Sequence, residues 1–405
     1  MHYYIYFIQF FISRIWRLFV NNMIKTDIAI IGLGITSKLT ALALASEHRK
    51  VKIFEQSNSI TNTSNLVTFF SQNSINFLTE LGIEDLINES VPVKEISCSK
   101  LEQYQSEKKF QIHFKEKNSK DEMGRIIINN SLNKSLDNLI KKNKNIIILN
   151  DTSVSEYKHQ GANTKLILSN GEEIITHILI IADKKSNLIN ENFNNNQLKK
   201  ELHQTSIVMN VKTNTCGHAY QFFTNKGALA FLPINEKLAS VIWSLDNTAP
   251  ELNYDIETIS EKINEIFISV TGKLEVMDIK KYKLNFEYAK KIISKSIILM
   301  GDAAHALHPI AGQGLNLAIK DIIALKGKIE HFKYLGYSLG NEIILSEFQD
   351  ERQTDNAIFT FATNYLDEIF KNRSFLINTI SDFGLIAVNR NNFIKKKIIK
   401  SATGQ

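Results

Sequence analysis

Proline and glycine are scarce in this chain, with 4 and 17 in 405 residues, where average usage gives about 20 and about 28. That excludes collagen-like and low-complexity classes, and it makes each remaining glycine informative about local backbone needs. Cysteine is scarcer still. Cys98 and Cys216 lie far apart and outside any CxxC spacing, so neither a disulfide framework nor a zinc cluster is available, and a reducing cytoplasm suits the chain. Clean apolar runs are also missing. The opening segment YYIYFIQFFISRIWRLFV is interrupted by Gln9, Arg14 and Arg17, short of the roughly 20 residues a membrane span needs. It has no basic start and no small-residue cleavage site of the kind a signal peptide carries. For residues 1–23 three readings stay open: an upstream extension ending before Met23, an amphipathic helix on a membrane surface, or an anchor.

Acidic residues are absent from the first 25 positions and almost absent from the end. Residues 371–405 hold seven Lys or Arg against Asp382 alone; subtracting both ends from the formal +6 leaves a body of about −3. A near-neutral globule with basic ends differs from a nucleic-acid binder, whose basic surface would cover the fold, so no nucleic acid is expected as partner. Hydrophobic residues make up 43% and charged residues 22%, which places the chain among globular proteins of two or three domains at about 150 residues each.

From Thr26 the chain reads TDIAIIGLGITSKLTALALASEHRKVKIFEQ. A β-branched run, a turn at Gly32 and Gly34, a helical pattern through Leu39, Leu42 and Ala45, and a second strand ending at Glu55 predict a βαβ unit. Such a unit binds dinucleotides when one glycine makes the tight turn, a second lets backbone approach the pyrophosphate, and a helix N-terminus offers free N–H groups. Glu55, 23 residues after Gly32, is placed for the ribose hydroxyls. Ser37 stands where a third glycine is usual and is small enough for close helix packing.

Near residue 300 a second pattern appears, SIILMGDAAHALHPIAGQGLNLAIKD. A buried strand runs into Gly301 and Asp302, a loop holds Pro309, and Gly312, Gln313 and Gly314 open a helix carrying Leu315 and Asn316. This segment resembles the second flavin motif of the class A FAD-dependent aromatic hydroxylases, in the form found in ubiquinone-biosynthesis hydroxylases. SQNSINFLTELGI, HAYQFFTNKGALAFLPINEKLASVIWSL and GLIAVNRNNFIKKKIIKSATG extend the resemblance over nearly the whole chain from Met23.

The resemblance implies an α/β fold with a Rossmann-like FAD domain of the para-hydroxybenzoate hydroxylase type, a mostly β substrate domain and C-terminal helices. The expected division is an N-terminal extension at 1–23, a discontinuous FAD domain at 24–95, 125–195 and 275–340, a substrate domain at 96–124 and 200–274, and a helical end with a basic tail at 341–405. FAD is the implied cofactor, held by Gly32, Gly34, Ser37, Glu55, Asp183, Gly301, Asp302, Pro309, Gly312, Gln313, Gly314, Leu315 and Asn316, with Asp302 on the ribityl chain. NADH or NADPH is the implied reductant. The implied reaction is hydroxylation of a polyprenylated phenol or quinol with O2, through a flavin hydroperoxide, in ubiquinone biosynthesis. No side chain is nominated as catalytic acid or base.

Location in a bacterial cytoplasm, peripheral on the inner face of the membrane, and membership of a quinone-biosynthesis complex are further expectations. FIKKKIIK in the tail alternates apolar and basic residues as an interfacial element does, and a solvated basic helix is the competing reading. The DxxHxxH spacing of Asp302, His305 and His308 raises a metal reading that the lack of further ligands nearby disfavours. Tyr220, Phe222 and Phe223 could line an aromatic-substrate pocket or simply alternate between core and surface.

Three departures from the family pattern stand out. Lys184 follows Asp183 where a glycine is usual, at a cost of about 1 kcal/mol if the position needs positive φ. No arginine precedes the SxxS helix, and Ala228 replaces a proline. These departures motivate a second reading, a non-catalytic relative that holds lipid or partners.

Overall fold

The structure is a computed structural model that describes residues 24–56, 66–101, 112–115, 122–193, 196–215, 217–224, 226–306 and 314–371. The chain opens with β1 (Ile24–Ile31), α1 (Ile35–Leu44) and β2 (Val51–Phe54), the βαβ unit its pattern predicts. Next come β3 (Val67–Ser71), α2 (Gln72–Glu80), α3 (Glu84–Glu89), β4 (Val91–Val93), β5 (Glu95–Lys100), β6 (Ile112–Lys115) and β7 (Gly124–Ile128). The chain then returns through α4 (Asn129–Lys142), β8 (Ile146–Leu149), β9 (Val154–Gln160), β10 (Asn163–Leu168), β11 (Glu173–Ile181) and α5 (Leu188–Phe193). A mostly extended stretch follows: β12 (Gln197–Lys212), β13 (His218–Thr224), β14 (Gly227–Asn235), β15 (Leu238–Asp246), α6 (Ile256–Thr271) and β16 (Glu275–Ala289). Last are β17 (Ile293–Ser294), β18 (Ile297–Leu299), β19 (His305–Ala306), α7 (Gly314–Tyr334) and α8 (Glu342–Lys371).

The heart of the first sheet is parallel, in the order β18-β11-β1-β2-β8. Its central strand is apolar on both faces, with Ile28, Ala29 and Ile30 fully buried, as helices on both sides require. From β1 the chain crosses through α1 to β2 on one side, while β11 flanks β1 on the other. Connections therefore diverge at the C-terminal end of β1, the crevice where doubly wound sheets bind ligands.

The second sheet runs β19-β16-β12-β15-β14-β13-β5-β6, antiparallel except where β13 meets β5. Helix α6 covers one face with Ile259, Ile263 and Phe267, packed on Phe222, Phe231 and Trp243. Burial of each such side chain contributes about 1.5–3 kcal/mol. The opposite face meets a small sheet of β3, β7 and β4 through Ala219 and Leu232 against Val67, Phe69, Val93 and Ile126.

One boundary moves. Residues 275–289, assigned from sequence to the FAD domain, run as β16 along the length of β12, from Lys212↔Glu275 to Gln197↔Ala289. Residues 275–289 contain no Gly or Pro to break the ladder, so the strand stays in the second sheet until Ala289. Among the described residues no helix is long and apolar enough to cross a membrane.

Candidate cofactor and active site

Three strand ends converge. The Ala182 N–H donates to the Ile31 carbonyl at 3.0 Å and the Met300 N–H to the Ile181 carbonyl at 3.0 Å, which sets the ends of β1, β11 and β18 side by side. Gly32 has φ +101°, and a Cβ there would stand 3.0 Å from the Cβ of Asp183. Gly301 has φ +60°, and its Cβ would stand 2.8 Å from Thr36 Cγ2 on α1. Both glycines are needed by the protein itself, because Gly32 lets the end of β1 approach Asp183 and Gly301 lets the end of β18 approach the first turn of α1. Asp302 projects from this seam as an exposed side chain. Beside it the Asp183 carboxylate accepts the Lys185 N–H at 3.0 Å. Glu55 ends β2 with its N–H on the Leu149 carbonyl at 3.1 Å. Gly32, Gly34, Glu55, Asp183, Gly301 and Asp302 thus share one end of the sheet.

Gly34 is different in kind. It is the N-cap of α1 with φ −68°, and no side chain of the described residues caps the helix. Among the described residues, and apart from its chain neighbours and its own helix backbone, no atom lies within 4 Å of where its Cβ would be. The first-turn N–H groups of α1 face that open cradle, a geometry suited to an anion such as a pyrophosphate. By contrast the N-terminus of α2 is closed by the Ser71 hydroxyl, which accepts the Ser74 N–H. We expect Gly34→Ala to leave the thermal midpoint of the apoprotein unchanged while weakening cofactor binding about tenfold. Calorimetric titration of the apoprotein checks this, and equal affinity in the variant would refute the role.

Helix α7 begins at Gly314, so Gly314, Leu315 and Asn316 carry first-turn N–H groups at the same end. The Asn316 side chain, however, is spent inside the protein. Its Nδ2 donates to the Phe69 carbonyl at 2.7 Å, and its Oδ1 accepts the Ser71 N–H at 2.9 Å and the Ser74 hydroxyl at 2.8 Å. The Asn316 side chain therefore locks α7 to the β3–α2 junction; sequence reading did not foresee Ser71 and Ser74 as its partners. Ser37 is buried, and its hydroxyl has no partner among the described residues, which suits close packing of α1. Pro309, Gly312, Gln313 and His308 lie outside the described residues.

His305 is not poised as a metal ligand. Its Nε2 sits 2.6 Å from Asp321 Oδ2 on α7, with both side chains about 1% exposed. Arg352 Nε on α8 donates to Asp321 Oδ1 at 2.7 Å, and Asn356 Nδ2 donates to the same oxygen at 3.2 Å. Burial by itself would push the Asp321 carboxyl up, yet the charges and hydrogen bonds of His305 and Arg352 more than offset this and hold it below its ordinary value. On β16, burial and then the Asp321 charge push the Tyr288 phenol up.

A known family, described as FAD binding domain, matches residues 25–336, spanning both glycine motifs and the strand ends just described. The chain belongs to this FAD-binding family. It is similar to the ubiquinone hydroxylase UbiM of Neisseria meningitidis, 25% identical with 94% of this chain and 85% of the relative covered. It is also similar to the 3-demethoxyubiquinol 3-hydroxylase of Escherichia coli, 24% identical over 94% of this chain and 98% of the relative. Among solved structures, p-nitrophenol 4-monooxygenase PnpA from Pseudomonas putida superposes with a TM-score of 0.72 at 15% identity, covering 94% of this chain and 99% of that one. This flavoprotein is a FAD-dependent monooxygenase.

The remaining expectations resolve on the same geometry. Tyr220 and Phe222 point to the α6 side of the second sheet, where they stack 6.2 Å apart and Phe222 packs on Phe267. Phe222 is buried core and the half-buried Tyr220 packs against it; strand alternation puts Phe223 on the other face. Lys184 is exposed and is not among the positive-φ residues Asp151, His203 and Lys295, so the feared backbone cost is absent. Gly227 keeps the part of its motif that matters sterically: with φ +142°, a Cβ there would collide with the Ser244 carbonyl oxygen, while Ala228 is simply buried.

Proposed function

We propose that this flavoprotein hydroxylates the aromatic ring of a polyprenylated phenol or quinol, a precursor of ubiquinone, with NADH or NADPH as reductant and O2 as second substrate. The observation that carries the reading is the nearly full-length match to a 3-demethoxyubiquinol 3-hydroxylase together with an intact set of strand-end glycines and Asp302. Bound FAD supplies the oxygen-activating chemistry. This chain's residues bind and orient it. The helix start at Gly34 takes the pyrophosphate, Glu55 the adenosine ribose and Asp302 the ribityl chain. The Asn316, Ser71 and Ser74 lock fixes α7 beside β3. Lys184, which motivated a non-catalytic reading, sits without strain.

Attachment to the inner face of the bacterial membrane through the basic stretch around Lys395 to Lys400 belongs to the same proposal, since a prenylated substrate resides in the bilayer. So does placement in a quinone-biosynthesis complex. Purified protein should be yellow, and a colourless protein that takes up no added FAD would sink the reading. A strain lacking the gene should accumulate one unhydroxylated quinone precursor, and Asp302→Ala should fail to rescue it. Rescue by Asp302→Ala would instead favour a non-catalytic role.

A further inference from the structure

We infer that His305 is a positioning residue of the FAD site, acting through Asp321 and Arg352 without touching the cofactor. His305 lies three residues after Asp302, in a segment stitched to the second sheet: His305 pairs with Tyr288 of β16, and the Ala289 N–H donates to the Ala304 carbonyl at 2.8 Å. Its ring reaches back across the seam to Asp321. Asp321 lies seven residues, about two turns, after Gly314 on α7. The contact therefore spans the two stretches that present Asp302 and the α7 N-terminus to FAD.

The Asp321 carboxylate accepts and the His305 Nε2–H donates, while Nδ1 is buried with no partner among the described residues. Behind the carboxylate, Arg352 is anchored in turn by Asp355 and Asn356, each at 2.8 Å. The far end of the strut is thus fixed on α8 before His305 contributes anything. The Asp321 and Arg352 ion pair stabilises the fold; His305 is the removable arm that sets where the Asp302 turn stands.

The two jobs separate by substitution. His305→Gln places an amide N–H where Nε2–H was and keeps the arm. His305→Ala and His305→Asn remove it, the asparagine being too short to reach Asp321. Full-length apoprotein of each is titrated with FAD, following flavin fluorescence and the visible spectrum, with the apoprotein thermal midpoint measured alongside. The expected result is a loss of FAD affinity of about 10- to 100-fold in His305→Ala, the range for one hydrogen bond to a charged group. His305→Asn should be as weak, and His305→Gln should return to within a few-fold of wild type. Wild-type affinity in His305→Ala overturns the inference. So does equal loss in His305→Gln and His305→Asn, a comparison that still decides if the alanine variant does not fold.

Discussion

Asp321→Ala is expected to cost about 3–5 kcal/mol of folding stability, the range for removing one member of a buried ion pair. The cost arises because Arg352, 4% exposed, is left as a buried cation whose remaining partners are the exposed Asp355 and the neutral Asn356. Against a total stability of about 5–15 kcal/mol, that is a large share. A denaturant titration should show the midpoint falling steeply. Asp355→Ala removes a partner whose side chain is 64% exposed and should cost at most about 1 kcal/mol. Comparable losses in the two variants would mean that burial is not what makes Asp321 valuable.

The same carboxylate predicts a pH dependence with a definite sign. Its folded value lies below the ordinary one, so the unfolded chain binds a proton more readily than the folded chain does. Stability from this group is complete above the unfolded value of about 3.9 and is lost as pH falls toward the folded value. Acid titration of the wild type should therefore show a loss below about pH 4 that Asp321→Asn does not share.

The local part of the cofactor site was legible in the sequence. DIAII followed by Gly32 and Gly34, and the strand into Gly301 and Asp302, are short patterns in which strand, turn and helix start lie within a dozen residues, so residue type and spacing carry the information. What the sequence withheld was long-range. Asn316 meets Ser71 and Ser74 across more than 240 residues, and Asp321 meets Arg352 on another helix. Nothing local marks either set as partners. The facing of Tyr220 and Phe222 was illegible for a related reason: a period of two says that they share a face but not which face lies toward α6. The start of the third FAD-domain segment was misplaced because β16 pairs to Ala289 with no break in its own composition.

Gly301→Ala should have the second large effect, and it falls on both fold and cofactor. At φ +60° a side chain costs about 1–2 kcal/mol. The new Cβ would also stand 2.8 Å from Thr36 Cγ2 and 2.9 Å from Thr36 Oγ1. Thr36 is β-branched and has little rotamer freedom within α1, so the strain should displace the Asp302 turn, or α1, or both, at a further cost of about 1–3 kcal/mol. The thermal midpoint of the apoprotein should fall, and FAD affinity should fall with it because Asp302 adjoins the displaced residue. Gly301→Ala with Thr36→Ser tests the mechanism: deleting Cγ2 should recover part of the lost stability, leaving the φ penalty. Gly34→Ala supplies the complementary case, a glycine in open space whose loss should move only the affinity. Two glycines of one site would then be sorted by experiment into one that the polypeptide needs and one that the cofactor needs; if both variants lower apoprotein stability equally, the open cradle at the start of α1 has been misread.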